Sequence, residues 1–283
     1  MKAQFSNQLI SSFLLYLEHK IAVDGEGYRN ISGYFYPIKT QYSNTYTYAS
    51  PFSQIIYDQA VPNTLPLTGV YVGNTFITAG QSGLAQIKYK EGKLYFTSAP
   101  TARVSGRYSV PEFTISLTNQ PEYKILFETQ KFVNPKNITN FTGLAPDEVT
   151  FPIIFVRDNG GKNEQYAFGG EDLTVTNLRL VILGDSQFNT DAVTSLIKDC
   201  TYSYVPLLHA DEFPFNNYGG LKNPTFTYTG VVNNRVSNGS GIYIDKVQVL
   251  ALSQGFRNDT NILQPEIFPA ICDIKLTMPR FTR

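Results

Sequence analysis

The chain has 283 residues, with 23 lysine and arginine residues against 23 aspartate and glutamate residues, so its formal net charge is zero. That balance disfavours a specific nucleic acid or an anionic membrane as partner, because both are usually bound through a surplus of basic residues. Only 16% of the residues are charged, so copies of the protein repel each other weakly, and we expect a chain that associates.

The first predicted element is an amphipathic helix over about residues 7–22, followed by a stop signal at Asp24-Gly25. Its apolar stripe consists of Ile10, Phe13, Leu14, Leu17 and Ile21, which repeat at helical spacing. Such a stripe usually packs into a core, and a helix that binds a partner is the alternative. No apolar run approaches the ~18 residues that a membrane-spanning helix requires.

Residues 33–132 contain short runs of β-branched and aromatic residues separated by glycine, proline and asparagine, which is typical of strands joined by tight turns. Two hairpins are predicted, one over residues 70–78 with a turn at Gly73-Asn74 and one over residues 85–97 with a turn at Glu91-Gly92. Further strands are predicted at residues 104–108, 113–117 and 123–132. We expect one antiparallel sheet system, either a sandwich or an open barrel.

The second half begins after residues 133–149, which have little pattern and predict a long connection. Residues 151–156 are an almost continuous apolar run, which predicts a strand covered on both faces. The main helix of this half is predicted near residues 188–199, where Asp185 or Ser186 can cap its start. The remaining predictions are a turn at residues 159–163, strands at 173–183, 242–252 and 271–278, and an irregular region that ends near residue 240.

These elements together predict a β-rich α+β fold. It has an N-terminal helix, an antiparallel β-sandwich or barrel region, and a second β-rich half with one main helix. Two domain arrangements stay open: residues 1–283 form one domain with a β-rich insertion, or the chain divides into residues 1–132 and 150–283.

The sequence has no recognisable catalytic, phosphate-binding or cofactor-binding motif, and we predict no enzyme activity, no cofactor and no metal site. Histidine, the commonest general base, occurs only at positions 19 and 209. His19 lies near the end of the first helix, where we expect a structural role. His209, Asp211 and Glu212 form the densest ionisable cluster, for which a solvated loop is favoured over a cation site.

The cysteine and carboxylate residues further limit the disulfide, metal-binding and hydrolase functions that the sequence allows. Cys200 and Cys272 can form at most one disulfide bond and lack metal-ligand spacing, so we expect synthesis in a reducing compartment. A glycan hydrolase needs two carboxylates that face each other across a sugar. Glu171, Asp172 and Asp185 are candidates, although the chain has no tryptophan for stacking on sugars.

The unusual feature is a surplus of tyrosine and phenylalanine in segments that we expect to be loops. Tyrosine buries a large area at low entropic cost and keeps a hydroxyl group for a polar partner, so it is enriched at protein interfaces. The alternative is that some of these rings close the ends of the β-structure. The interface candidates are Tyr34, Tyr36, Tyr46, Tyr48, Phe213, Phe215 and Tyr218.

Several segments resemble a poorly characterised family of virion structural proteins from tailed bacteriophages, especially marine and cyanobacterial ones. The segments that carry the resemblance are Phe13-Leu14-Leu15-Tyr16-Leu17-Glu18-His19, Gly25-Glu26-Gly27-Tyr28, Ser32-Gly33-Tyr34-Phe35-Tyr36-Pro37, Tyr46-Thr47-Tyr48-Ala49-Ser50-Pro51-Phe52, Gly69-Val70-Tyr71, Gly80-Gln81-Ser82-Gly83-Leu84, Tyr166-Ala167-Phe168-Gly169-Gly170, and Ala192 to Asp199 followed by Tyr204-Val205-Pro206-Leu207. These segments cover most of the chain, and they are structural signatures without a catalytic fingerprint.

The resemblance implies a non-enzymatic component of the phage particle, made in the host cytoplasm and located in the virion. The neutral, aromatic-rich chain with its striped helix favours a ring at the neck or tail, joining head to tail or terminating the tail. Its expected partners are further copies of itself and other virion proteins. Two alternatives stay open: a receptor-binding or fibre-associated adhesin of the virion, and a virion-borne glycan hydrolase.

Overall fold

The structure is a computed structural model, and it describes residues 4–38, 45–127, 131–137, 149–236, 241–251 and 266–281. Strands account for 44% and helices for 20% of the protein, which confirms the predicted β-rich α+β class. The architecture is an N-terminal helix, a nearly closed antiparallel sheet, a second curled sheet, and a helix in the second half.

The N-terminal helix, α1, spans Phe5–Val23 and confirms the helix predicted at residues 7–22. Gln4 and Asn7 form a capping box at its start, with the Gln4 backbone N–H donating to Asn7 Oδ1 at 3.2 Å. Phe13 and Leu17 pack into the core of the second sheet, while Leu15 packs into the core of the first. The helix therefore joins the two sheets.

The first sheet has seven antiparallel strands in the order β4-β3-β7-β1-β2-β6-β5. The strands are β1 (Tyr28–Ile38), β2 (Tyr46–Ala49), β3 (Gly69–Val72), β4 (Thr75–Thr78), β5 (Leu84–Lys88), β6 (Lys93–Phe96) and β7 (Val104–Pro111). Both predicted hairpins are confirmed as β3–β4 and β5–β6. The outer strands β4 and β5 are consecutive in the chain, and the Gly80 N–H donates to the Leu84 carbonyl between them at 2.7 Å. This connection brings the sheet close to a barrel.

The second sheet has six strands in the order β13-β14-β15-β12-β11-β8. The strands are β8 (Thr114–Leu117), β11 (Ile153–Gln165), β12 (Asp172–Gly184), β13 (Tyr204–Pro206), β14 (Gly241–Ala251) and β15 (Phe268–Arg280). β9 (Phe132–Val133) and β10 (Val149–Thr150) form a separate two-stranded parallel sheet. Three further helices are α2 (Glu122–Phe127), α3 (Gln187–Asp199) and α4 (Tyr228–Val236), and a 3-10 turn spans Pro135–Asn137.

The two faces of the second sheet are covered differently. On one face, alternate residues such as Leu180 and Cys272 pack against α1 and α3. On the other face, Val181 and Leu183 are buried with residues of α2 and β9. The predicted strand at 151–156 begins β11 and is buried on both faces, as expected, with Ile153 in the second of these clusters and Ile154 in the first. Beyond α2 and β9, the second face becomes polar.

One strand prediction in the first half is wrong, and one confirmed strand lies in a different sheet from the one expected. Residues 123–132 contain α2, because Lys124 and Ile125 donate backbone hydrogen bonds back to Pro121; residues 128–130 lie outside the described residues. The strand predicted at 113–117 exists as β8, but it pairs in parallel with β11 in the second sheet. The choice of sheet depends on a partner far away in the chain, which a local pattern does not encode.

Two predictions in the second half are also wrong. The turn predicted at residues 159–163 lies inside β11, where a bulge between Asp158 and Gly161 accommodates Gly160 at φ +80°. The region predicted to be irregular up to residue 240 contains α4. The described ends of the predicted connection 133–149 pair as β9 and β10, while residues 138–148 lie outside the described residues. The division into one or two domains stays a prediction.

Replacing Ser186 with alanine should lower the free energy of unfolding by about 1 kcal/mol. Ser186 Oγ accepts a hydrogen bond from the Asn189 N–H at 3.1 Å at the start of α3, as predicted for the cap. Urea denaturation measures the loss. The control is Ser195→Ala, at an exposed position within α3 where alanine favours the helix. Equal stabilities of the two variants would show that this cap contributes nothing.

Candidate functional site

A cluster of ionisable and hydroxyl side chains lies where α1 meets the first sheet. The Glu18 carboxylate forms an ion pair with Lys90 and accepts a hydrogen bond from the Tyr57 hydroxyl at 2.8 Å. Beside it, His19 Nδ1 lies 2.7 Å from Asp58 Oδ2, and both side chains are largely buried. These contacts connect α1 to residues that are 39 or more positions away in the chain.

Asp58 is the centre of this cluster. Its Oδ1 atom accepts hydrogen bonds from the Ala60 N–H at 2.9 Å and from the Tyr228 N–H at 3.0 Å, while Oδ2 contacts His19. The Tyr228 N–H belongs to the first turn of α4, where a carboxylate also interacts favourably with the helix dipole. One buried carboxylate therefore holds α1, α4 and the loop after β2.

A small cavity of about 50 Å³ lies beside the cluster, lined mainly by apolar side chains such as Ile55, Phe113 and Phe226, together with His19 and Tyr228. The Tyr228 hydroxyl is buried and has no hydrogen-bond partner among the described residues. Burial raises the pKa of Tyr228, and burial followed by the charge of Glu18 raises the pKa of Tyr57 well above its ordinary value. Neither phenol is therefore activated as a nucleophile.

A His–Asp pair can orient a general base, so His19 needs comparison with a catalytic site. The His19 ring lies against the Tyr228 ring, with centroids 4.6 Å apart. No serine or cysteine side chain is among the described contacts of His19 or the residues lining the cavity. The geometry supports the expected structural role, because every charged member of the cluster has a partner within the protein.

The loop cluster of His209, Asp211 and Glu212 is a closed turn. The His209 N–H donates to Glu212 Oε2 at 2.7 Å, and the Glu212 N–H donates to the His209 carbonyl at 3.0 Å. Lys222 donates to the Asp211 carbonyl at 2.9 Å. No group of three metal-ligating side chains occurs within the described parts of the chain. One oxygen of the Glu212 carboxylate is thus bound to the backbone of the turn.

The candidate carboxylates for sugar hydrolysis lie far apart. Glu171 and Asp172 are at the beginning of β12, and Asp185 follows its end after a strand of 13 residues. At about 3.3 Å per residue, the two ends are separated by about 40 Å, whereas a glycosidase needs carboxylates about 5–9.5 Å apart. Asp185 also pairs with Lys136 at 2.7 Å. These residues do not face each other across one sugar.

The structure divides the predicted interface residues into two groups. Tyr34, Tyr46 and Tyr218 are exposed, by 49%, 47% and 77%, and Tyr36 is half-buried. The other three pack inward: Tyr48 contacts Phe96, Phe215 contacts Tyr57, and Phe213 is packed against the core of the first sheet. The expectation that the aromatic residues lie in loops is wrong for Tyr34 and Tyr36 in β1 and for Tyr46 and Tyr48 in β2.

Tyr34 belongs to a row of exposed aromatic side chains across four strands of the first sheet. Phe76 in β4 is paired with Tyr71 in β3, Tyr71 with Ser105 in β7, and Ser105 with Tyr34 in β1. Tyr71 and Phe76 are exposed by 42% and 47%, and their ring centroids are 5.1 Å apart. We call Tyr34, Tyr71 and Phe76 the aromatic row. The Arg103 guanidinium lies 5.7 Å from the Tyr34 ring and extends the row with a cation.

Tyr71 and Phe76 are not among the interface residues predicted from the sequence, although the sequence contains a signal for them. In the predicted hairpin, Val70 pairs with Ile77 and Tyr71 with Phe76, so the two pairs must point to opposite faces. Val70 and Ile77 are buried, which leaves the aromatic pair outside. Alternation within the hairpin therefore predicts the exposed pair, whereas its alignment with Tyr34 requires the order of the strands.

Among the described residues, none of the helices combines the length and the apolar character that a membrane span requires. Comparison of the sequence with models of known protein families finds no match. Comparison with curated protein sequences finds no match either.

Proposed function

We propose that this chain is a structural subunit of a tailed-bacteriophage virion, which assembles into a ring at the neck or tail. In this proposal the aromatic row contacts a neighbouring virion protein. The protein has no catalytic role there; it contributes surfaces that hold adjacent components together.

The observation that carries the proposal is the exposure of the aromatic row on a rigid sheet. Tyrosine and phenylalanine that stand exposed on a scaffold lose little conformational entropy on binding, and such residues often dominate the energy of an interface. Each member of the row is exposed by 42–49% and is held by cross-strand pairing. A partner that covers the row removes three large apolar surfaces from water together.

The sequence resemblance supports the same assignment. Two residues of the row lie in segments that carry the resemblance to phage virion proteins: Tyr34 in residues 32–37 and Tyr71 in residues 69–71. A third such segment, residues 80–84, is the turn that connects β4 to β5 and brings the sheet close to a barrel. The resemblance thus coincides with the sheet that presents the row.

Cryo-electron microscopy of intact phage particles tests the location. We expect density for several copies of the chain arranged around the tail axis, with the aromatic row against another protein. Density for the chain in fibres, together with binding of the purified protein to host cells, would favour the adhesin instead. Absence of the chain from purified particles would refute the proposal.

The double variant Tyr71→Ser with Phe76→Ser should fold normally but enter particles at least about tenfold less efficiently than the wild type, since aromatic hot spots contribute about 2 kcal/mol each. The measurement is the amount of variant in particles grown on a host that supplies it in place of the wild type. The matched control is Tyr166→Ser with Phe281→Ser, which removes exposed rings elsewhere. Equal incorporation of both double variants would contradict a role for the row.

A further inference from the structure

The polar face of the second sheet contains a groove of about 360 Å³, which we call the sheet groove. Four adjacent strands line it, with Asn159 on β11. Its other polar side chains are Asn177 and Arg179 from β12, Asp273 and Lys275 from β15, and Lys246 and Gln248 from β14. The six side chains on β12, β15 and β14 point away from α1 and α3, because they alternate with the residues that form the core beneath those helices. A volume of this size suits a protruding part of a ligand or partner.

The strand register places like charges opposite each other around this groove. Lys246 is paired directly with Lys275, and Arg157 in β11 is paired directly with Arg179. Like charges in directly opposite positions destabilise a sheet unless an anion compensates them. Carboxylates placed beside these cations therefore reduce the cost of the arrangement.

Two of these four cations are already neutralised. Arg179 forms a two-pronged pair with Asp273 at 2.6 and 2.7 Å and a further bond to Glu122, which together raise its pKa. Lys275 is paired with Asp245 at 2.6 Å. The side chains of Arg157 and Lys246 make no hydrogen bond or ion pair with any described residue. Two unpaired cationic side chains therefore lie on opposite sides of the groove, Arg157 on β11 and Lys246 on β14.

The exposed surface of α3 carries the complementary charge. Phe188, Asp191, Ala192, Ser195 and Asp199 are all exposed and follow helical spacing, so they form one stripe, which we call the α3 stripe. Phe188 is 80% exposed. The buried side of the same helix, with Val193 and Ile197, packs into the core. The stripe therefore presents two carboxylates and one exposed ring among the described residues. Lys198 is exposed beside it, and Asp191 Oδ1 accepts a hydrogen bond from the Gln187 side chain at 2.7 Å.

The distance between the two aspartates of the α3 stripe is similar to the distance between the two unpaired cations at the sheet groove. Asp191 and Asp199 are about 12 Å apart along the helix axis, at about 1.5 Å per residue. Arg157 and Lys246 are separated by three strand spacings of about 4.8 Å and a two-residue offset, which gives about 16 Å between their backbones. The arginine and lysine side chains are long and flexible enough to bring their charged groups to the spacing of the two aspartates. With Asp191 at Lys246 and Asp199 at Arg157, Phe188 lies toward the exposed Tyr243 of β14.

The two surfaces lie on opposite sides of the same sheet, because α3 packs on one face and the groove opens on the other. They therefore cannot meet within one molecule. We propose that the α3 stripe of one copy docks in the sheet groove of the next copy. Such a head-to-tail contact closes into a ring when the rotation between copies is suitable. This inference rests on the proposed function, and it identifies the surfaces through which neighbouring copies in the ring contact each other.

Charge reversal tests the contact with the purified protein. A groove variant, Arg157→Glu with Lys246→Glu, and a stripe variant, Asp191→Lys with Asp199→Lys, should each lower the association constant at least about 100-fold, because like charges then face each other. An equimolar mixture of the two variants should assemble again, since the reversed groove of one fits the reversed stripe of the other. Light scattering and mass photometry measure all three samples.

The control is Lys93→Glu with Arg107→Glu, an equal charge change on strands of the first sheet, which should assemble like the wild type. Wild-type rings that neither reversal weakens would overturn this contact while leaving the proposed function intact. Loss of assembly in both variants without recovery in the mixture would also overturn it. A wild-type protein that stays monomeric at every concentration would overturn both this contact and the ring.

Discussion

Replacing Asp58 with alanine should lower the free energy of unfolding by about 3–5 kcal/mol, because it leaves three hydrogen-bond donors without their acceptor, at about 1–3 kcal/mol for each buried one. Asp58 is 8% exposed, and its carboxylate satisfies His19 and two backbone N–H groups. Alanine leaves all three without their acceptor in a buried setting. Urea denaturation followed by tyrosine fluorescence measures the loss, since the chain contains no tryptophan.

Two further variants identify the cause. Asp58→Asn keeps an oxygen that can accept from the Ala60 and Tyr228 N–H groups but removes the charge next to His19, so its loss should be smaller than that of alanine. Asp211→Ala removes an exposed carboxylate and should change stability by less than about 0.5 kcal/mol. If Asp58→Ala were as stable as Asp211→Ala, the cluster at α1 would contribute no net stability.

Phe13→Ala should cost about 3–5 kcal/mol, the range for truncating a buried phenylalanine. Phe13 is 1% exposed and projects from α1 into the core under the second sheet. The neighbouring core is too closely packed to fill the space completely, so a cavity remains. The measurement is the denaturation midpoint, with Phe281→Ala, at a position 69% exposed, as the control.

The shape of the Phe13→Ala transition also tests the domain arrangement. Leu15, two positions along α1, packs into the core of the first sheet. If the chain unfolds as one domain, both Phe13→Ala and Leu15→Ala should shift one common transition. If it divides into two, Phe13→Ala should shift only the transition of the second sheet. A midpoint for Phe13→Ala equal to that of Phe281→Ala would contradict the core position of Phe13.

Local patterns were sufficient for the elements whose signals lie within about a dozen residues. The stripe of α1, the turn at Gly73-Asn74 and the Ser186 cap each depend on residues close together in the chain, and each is confirmed. The wrong predictions concern segments whose structure depends on contacts with residues distant in the chain. Residues 123–127 contain aromatic and apolar side chains that suit either a strand or a helix. They form the helix α2, whose apolar side chains are buried against the second sheet.

The candidate surfaces show the same division. The low charge and the aromatic-rich segments predict aromatic residues at interfaces, and Tyr34 is one of the candidates. Which aromatic residues share a row with Tyr34 depends on strand order, because Tyr71 and Phe76 become its neighbours only through β7. Tyr48 and Phe215 have similar local sequence signals, but they pack inward against Phe96 and Tyr57.

The sequence by itself determined the β-rich class, the two hairpins, α1 and α3, because their periodicities and turn residues act over a few positions. The tertiary structure decided that β8 joins the second sheet, that Asp58 holds His19, and that Arg157 and Lys246 flank one groove. Each of these contacts joins residues distant in the chain. Their energies depend on burial and on pairing between elements, and neither exists until the elements have packed.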